Sequence, residues 1–529
     1  MSVTSLAGAK GRHAPSGGAA VAVLIVPFLF GLRLWAQRAH AGSLSVEDDA
    51  LYYAIIARNL AETGVSTFDG QALTNGYHPL WLLLLTAQHW ALGSSPLVTV
   101  AIEVALLTGA AWMFLGTLRA APLALRAGFG VAFFVFAWPM AARGMEVSLL
   151  WFGFAWLVKA GLDLRAGRGS AYWVALAATL SIGARIDAAV FVMPTALLMA
   201  RSLRDAAKIA APVAAAGAVY AGVNLWAFGI PFPVSGAVKS LGGLQLNRAL
   251  LGQAAAPFAN APNPLRGAAA FINSYIGRCV LLFGLACLAL PLARRNRNAW
   301  PLLLGFCAGF VLYAAKLLLF SSWVVWPWYA FPAIIGLMAL AHAADDMRDR
   351  AAASFGLAGH AAAGALVLYL AGLQVHAAAT RYEASGFEAI NRMAAERLAP
   401  VLQGARVAMG DRAGSFAAAY PGPVTQLEGL VNDAAYLHAL RSRADIRPLL
   451  CARGVRFVLA YRRDLGDYAT ATVPVLRPAL TQYAAPALTF DKADEVGNVS
   501  DVSVYDNSRQ DEGDNHLYAW RLTGCGAQP

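Results

Sequence analysis

Three consecutive acids, Glu47, Asp48 and Asp49, open the stretch Glu47-Asp-Asp-Ala-Leu-Tyr-Tyr-Ala-Ile-Ile-Ala-Arg-Asn-Leu60, shortly after an apolar segment. Acidic side chains are costly beside hydrocarbon, so a cluster there marks a candidate functional site. Ser45 followed three residues later by Asp48 is a capping-box pattern, which would put the acids in the first turn of a helix. The helix dipole at that end favours the charged carboxylate, so the acids are expected to stay ionised near neutral pH, as a general base or a cation ligand must. The plainer reading is that they only cap the helix. Leu51, Tyr52, Ile55, Ile56, Asn59 and Leu60 recur at helical spacing, the pattern of an amphipathic helix lying on a membrane surface.

Further polar groups interrupt apolar sequence. Arg185-Ile-Asp187 breaks a run of about 29 apolar residues from Tyr172 to Ala200. It reads either as an ion pair stapling two half-helices or as an arginine whose planar fork grips a phosphate. Glu146 stands at the start of a span and serves as a cap or a site group. Lys239, in a Pro-rich loop, is solvated or anion-binding. Trp326, Trp328 and Tyr329 form an interfacial aromatic belt or line a groove for a sugar or isoprenoid. Acids together with phosphate-gripping cations at a membrane surface suit transfer from a lipid-phosphate sugar. The anionic leaving group needs cations, and the acceptor hydroxyl needs a carboxylate base.

The elements that must position these groups are membrane spans. The 529 residues are 58% hydrophobic and 13% charged, against about 25% charge in a soluble domain, and the mean hydropathy is +0.53. The net charge of +11 belongs in cytoplasmic loops and gives no argument for nucleic acid. Lys10, Arg12 and His13 precede a first span at about 18–35, with no small-residue cleavage site after it, which predicts an uncleaved span with its basic flank inside. The apolar run from Pro79 to Leu92 is about 14 residues, short of the roughly 20 a span requires. Read as re-entrant or interfacial, it leaves Arg119 and Arg126 inside, and every later basic loop agrees. Spans follow at about 97–118, 126–142, 146–164, two half-spans within 172–200, and then 209–228, 272–293, 300–319, 326–344 and 355–376. The total is about eleven, with the N-terminus in and the C-terminus out. This topology gathers Asp48, Asp49, Arg58, Asn75, His78, Arg143, Glu146, Arg185, Asp187 and Lys239 on one outer face.

The composition changes near Arg381, which divides a transmembrane part, 1–380, with its first outer loop at 37–96, from a soluble part, 381–529. Strands at Arg406–Gly410 and Val455–Ala460, with helices at Glu388–Leu398 and Asp433–Leu440, predict a small α/β domain. Cys279, Cys287 and Cys307 fall in predicted spans. Cys451 and Cys525 could pair in an oxidising compartment, although sequence alone does not fix the pairing. No spacing suggests a zinc site.

The block from Glu47 to Leu60, with Thr74-Asn-Gly-Tyr-His-Pro-Leu-Trp81, resembles the first outer loop of polyprenyl-phosphate-dependent glycosyltransferases of the GT-C fold. Relatives include protein O-mannosyltransferases, aminoarabinose transferases and mycobacterial arabinofuranosyltransferases. Arg143-Gly-Met-Glu146, Arg185-Ile-Asp187, Pro233-Val-Ser-Gly-Ala-Val-Lys239, Asp411-Arg-Ala-Gly414 and Glu428-Gly-Leu-Val-Asn-Asp433 are similar to further blocks of such proteins. Ile186 stands where many relatives have proline, and Asp411-Arg where Asp-Ala is commoner. The resemblance implies an inverting transfer from a polyprenyl-phosphate sugar to a glycan, lipid or protein at the outer face of a bacterial cytoplasmic membrane. It implies Asp48 or Asp49 as base, with Asp48 slightly favoured, and, in some members, a divalent cation (Mg, Mn or Ca) near that acid. On this reading Arg58, Arg185, Lys239, His78, Trp328 and Tyr329 hold the donor phosphate or lipid. Tyr53, Asn75, Glu146, Asp187, Asp411 and Asn432 contact substrate. A transporter or flippase of isoprenoid-linked sugars, and a catalytically silent scaffold, are the competing expectations.

Overall fold

The computed structural model describes residues 46–118, 121, 123–137, 140–294, 298–348, 386–465, 471–499 and 516–525, with a few positions between 24 and 31. The expected spans at 18–35 and 355–376 lie largely or wholly outside the described residues, as does Ser45.

The chain is mostly helical. In order come α1 (Asp48–Thr63), α2 (Pro79–Leu92), α3 (Pro96–Thr117), α4 (Leu123–Ala137), α5 (Val147–Arg165), α6 (Ala171–Ala184), α7 (Ala189–Leu198), α8 (Leu203–Phe228), α9 (Val234–Lys239), α10 (Arg248–Ala259), α11 (Pro264–Asn273), α12 (Tyr275–Ala293), α13 (Ala299–Leu319) and α14 (Pro332–Arg348). Among the described residues six segments are long and apolar enough to cross a membrane: α3, α5, α8, α12, α13 and Pro327–Asp345, which contains most of α14. α4, α6 and Ile186–Leu198 are shorter apolar helices.

Local chemistry sets these boundaries. Pro79 occupies the start of α2, where its fixed φ suits a helix and its missing N–H would be unsatisfied anyway. The Ser202 side chain caps α8 by accepting the Asp205 N–H, and Gly229 ends it at φ 73°. α6 stops at Arg185, whose backbone is extended, and a single 3-10 turn, Ile186–Ala188, leads into α7. The expected break between two half-helices is therefore present. α5 packs on α3 and α6, and α7 packs on α13. Small residues allow the close approach: a Cβ on Gly153 of α5 would meet Ser181 Oγ at 2.6 Å. α8 is the least covered of the long helices, with Val219, Val223, Leu225 and Trp226 exposed, as a lipid-facing helix would be.

The C-terminal residues contain α15 (Gly386–Leu402), β1 (Val407–Met409), α16 (Ala413–Ala419), β2 (Val424–Gln426), α17 (Ala434–Ser442), α18 (Arg447–Ala452), β3 (Phe457–Tyr461), β4 (Thr472–Pro474), β5 (Ala487–Thr489), β6 (Glu495–Val499) and β7 (Leu517–Arg521). Five strands form one sheet in the order β2-β1-β3-β7-β6. β1 is parallel to β2 and β3, and β7 is antiparallel to β3 and β6. β1, β2 and β3 are buried along their whole length, as parallel strands covered on both faces must be. A disulfide joins Cys451 of α18 to Cys525 after β7.

This sheet region is bolted to the first loop. Arg406 donates to the Asp69 carbonyl (2.8 Å), and Thr425 Oγ1 donates to Asp69 Oδ2 (2.8 Å). Gly76 presses on the Leu430 carbonyl so closely that any Cβ there would clash. On another side the Val324 N–H donates to the Leu480 carbonyl (2.8 Å) and the Gln482 N–H to the Ser322 carbonyl (3.0 Å).

Candidate active site

Between the first loop, the helix break and the sheet region lies a cavity of about 430 Å³. α1 contributes Asp49, Tyr52 and Tyr53; the α6–α7 break contributes Arg185 and Asp187; α9 contributes Lys239. His78, Glu146, Lys316, Ser321, Trp323, Trp328, Tyr329, Leu430 and Val431 complete much of the wall.

The two neighbouring aspartates are separated by the turn of α1. The helix begins at Asp48 with Glu47, and not Ser45, at the N-cap position and no side chain capping it, so the expected capping box is not formed, while Asp48 and Asp49 do stand in the first turn. Asp48 does not line the cavity. Its carboxylate accepts the N–H groups of Gly414 (3.1 Å) and Ser415 (2.6 Å) at the start of α16. Gly414 is required for that approach, because a Cβ would lie 2.5 Å from the Asp48 carbonyl oxygen. Asp49 faces the cavity. For Asp49 the helix dipole does not secure the charged form at neutral pH. Burial pushes Asp48 above the usual carboxylate range against the Ser415 hydrogen bonds, and Asp411 adds to the rise. Burial likewise pushes Asp49 up to about 7; Lys239 opposes this, and Asp48, Asp411 and Glu47 reinforce it.

Lys239 ends α9, and its Nζ donates to the Tyr329 hydroxyl at 2.9 Å. Burial works against its charge, but Tyr329 and Asp49 outweigh burial and hold the ammonium above its ordinary pKa. Because Tyr329 Oη accepts from Lys239, its own proton is available to the cavity.

Arg185 is almost wholly buried, 2% exposed, and committed to carboxylates. It pairs with Glu146, and its Nε lies 2.9 Å from Asp187 Oδ1. Its guanidinium also sits 4.8 Å from the ring centre of Tyr329 and 4.9 Å from that of Phe331. Of the two readings of Arg185-Ile-Asp187, the ion pair is realised, extended to Glu146. Lys316 Nζ reaches Asp187 Oδ2 at 3.7 Å. His78 Nδ1 accepts the Ile186 N–H (3.4 Å), which directs Nε2 toward Glu146 Oε1, 3.7 Å away. Burial lowers the His78 pKa against the pull of Glu146, favouring neutral imidazole. The Tyr53 hydroxyl accepts the His78 N–H (3.1 Å) and so fixes the entry to α2.

Besides Asp48, four expected site residues stand apart from this cavity. Arg58 is exposed on α1. Asn75 is saturated as a brace: its amide donates to Asn224 Oδ1 (2.8 Å) and the Phe232 carbonyl (3.1 Å), and its oxygen accepts the Val234 N–H (3.0 Å). Asn432 donates to the Gln426 carbonyl (2.6 Å) and accepts from Arg453. Asp411 belongs to a second cluster with Glu428, Asp464, Arg412 and Arg477. Burial there pushes Glu428 well above the carboxylate range, with Asp411 adding to the rise.

Sequence reasoning missed Lys316 and Glu103. Each is an ionisable residue inside an otherwise apolar helix, which is itself a signal of function or of a buried partner. Glu103 is fully buried and accepts the Gly144 N–H (2.8 Å), while Trp81 Nε1 donates to the Gly144 carbonyl (3.1 Å). The adjacent Arg143 pairs with Glu47, and the Glu47 N–H donates to the Arg143 carbonyl (2.9 Å). This short segment therefore anchors the start of α1, and with it Asp49, to the helices beneath.

Among the described residues no three or more His, Cys, Asp or Glu side chains converge where they could hold a metal ion. Asp48 is engaged by backbone amides, and Asp49 shares the cavity with lysines. No protein family model matches the chain, and no curated protein sequence matches it.

Proposed function

We propose that the chain is an integral-membrane glycosyltransferase of the GT-C type that moves a sugar, with inversion, from a polyprenyl-phosphate donor to a hydroxyl acceptor at the outer face of a bacterial cytoplasmic membrane. The observation that carries this reading is the single cavity in which Asp49, titrating near 7, faces Lys239 and the Tyr329 hydroxyl. The acceptor oxygen attacks the anomeric carbon on the face opposite the phosphate. Asp49 takes the hydroxyl proton as the new C–O bond forms. The old bond breaks toward the phosphate oxygen, and Lys239, aided by Tyr329 O–H, receives the charge that gathers there. Arg185 positions the wall through its ion pairs with Glu146 and Asp187, and the phosphate grip is assigned to Lys239. Trp328 and its stacked neighbour Trp326 (ring centres 5.7 Å apart) offer an aromatic wall for the sugar or the first isoprene units.

The topology that goes with this reading has about eleven spans, N-terminus in, and an α/β domain outside. The Cys451–Cys525 disulfide supports an oxidising location for that domain. The acceptor class (glycan, lipid or protein) is left to experiment. The test is turnover by purified protein in lipid with a panel of polyprenyl-phosphate sugars, followed as release of polyprenyl phosphate and by the anomeric configuration of the product. The rate should rise with pH through about 7, as Asp49 loses its proton. The broken helix α6–α7 with its charged pair also suits a transporter. Movement of intact donor across the bilayer without cleavage would replace the transferase reading with that one.

A further inference from the structure

The loop between α8 and α12 folds as a helical hairpin, α10 and α11, with inner faces packed together. Gly267 lies against Phe258, where a Cβ would sit 3.1 Å from the Phe258 Cα, and the Phe258 and Phe271 ring centres are 5.5 Å apart. The outer faces carry nothing of the described chain. Leu251, Ala255 and Ala259 on α10, and Leu265, Ala269 and Ile272 on α11, each recur about one turn apart and are exposed, Leu265 at 84%. That spacing makes one apolar stripe per helix.

We propose that this hairpin docks into the outer leaflet of the bilayer and recognises anionic lipid headgroups. Three observations choose that occupant. The first is continuity: α11 ends at Asn273, and the apolar span α12 begins at Tyr275, so the hairpin leaves the bilayer within two residues of the span. The second is charge. No acidic residue occurs between Asp205 and Asp345, and the hairpin's charges are Arg248 and Arg266, both exposed. The third is where those arginines stand. Both lie in the first turn of their helices, where the dipole disfavours a cation. Their positions therefore do nothing for the helices and suit an external anion. An amphipathic, cationic helix pair of this kind lies in the headgroup region with its apolar face in the acyl boundary.

The hairpin is also the support of one cavity wall. Gln253 accepts the Val325 N–H (3.0 Å) and donates to the Val325 carbonyl (2.7 Å). Asn247 donates to the Trp323 carbonyl (2.9 Å). The segment so held supplies Ser321, Trp323 and Val324 to the cavity. Docking the hairpin thus sets that wall at headgroup depth, independently of what reaction the cavity performs.

The test uses full-length protein with Cys279, Cys287 and Cys307 replaced by alanine and the disulfide kept. Spin labels are placed singly through Leu265→Cys, Ile272→Cys or Leu251→Cys, and the protein is set in nanodiscs of phosphatidylcholine alone or mixed with phosphatidylglycerol. Collision with oxygen and with a water-soluble nickel chelate gives depth. The proposal predicts labels favouring oxygen, deeper in the anionic discs, with the added depth lost in Arg248→Gln/Arg266→Gln. Labels favouring the nickel chelate in both discs would overturn it. So would labels shielded from both probes, as contact with another protein would leave them, or a depth unaffected by lipid charge. Three label sites keep the test valid should one variant fail to fold.

Discussion

Replacing Asp49 by asparagine should stabilise the protein while removing its proposed chemistry, and the stabilisation should grow with pH. Asp49 is raised from 3.8 to about 7 in the fold. A carboxyl with a raised folded pKa binds its proton more tightly folded than unfolded. Its favourable contribution is complete below the unfolded pKa and is lost as pH rises through the folded one. A shift of about three units at roughly 1.4 kcal/mol each gives a penalty near 4 kcal/mol at pH 8, falling to about 2 kcal/mol at pH 5. These are upper bounds, because Asp49 faces the solvent of the cavity. Asparagine has nearly the same shape and no charge to desolvate, so it escapes the penalty. The assay is thermal unfolding of wild type and Asp49→Asn in detergent from pH 5 to 8. The expected result is a gap of several degrees at pH 8 that narrows toward pH 5. A gap independent of pH, or a variant less stable than wild type at pH 8, would refute the reasoning.

Other consequences follow from the same geometry. Arg185→Gln leaves Glu146 and Asp187 without their buried counter-ion and should cost about 3–5 kcal/mol. The double variant Arg185→Gln/Glu146→Gln should recover part of that loss in the same melting assay. Gly414→Ala drives a methyl group into the Asp48 carbonyl and should cost about 1–3 kcal/mol, seen as faster proteolytic release of the C-terminal region. Reducing Cys451–Cys525 opens a loop of 74 residues and should lower the stability of the sheet region by about 4 kcal/mol, read as a reductant-dependent shift in unfolding.

Much of the helical layout could be read from hydropathy because each helix buries or exposes a continuous apolar run. α2 lies at the expected Pro79–Leu92, and the α6–α7 break falls where Arg185 and Asp187 interrupt the run. The strands were harder. β1 and β3 lie in apolar runs, but β2, β4 and β5 have three residues each, with Thr425 and Gln426, Pro474 and Thr489 among them, and so form no apolar run. Site residues divided along a similar line. His78, Glu146, Asp187 and Lys239 announce themselves as charge or imidazole beside apolar sequence, and they do line one cavity. Sequence could not separate Asp48 from Asp49, because that depends on Gly414 and Ser415, some 366 residues away, offering their amides to one of them. Nor could it show that Asn75 spends its amide on Asn224 and Val234.

The central claim is that Asp49 is the group that takes the acceptor's proton, and that Asp48 joins the first loop to the C-terminal region. The most direct measurement is turnover of polyprenyl-phosphate sugars by wild type, Asp48→Asn and Asp49→Asn in the same lipid, each with its donor affinity. The account predicts that Asp49→Asn binds donor with turnover lost, about 10²–10⁴-fold down. Asp48→Asn, which can still accept a hydrogen bond from Ser415, should retain measurable turnover with reduced thermal stability. Equal turnover in all three, or loss in Asp48→Asn with activity kept in Asp49→Asn, would contradict it.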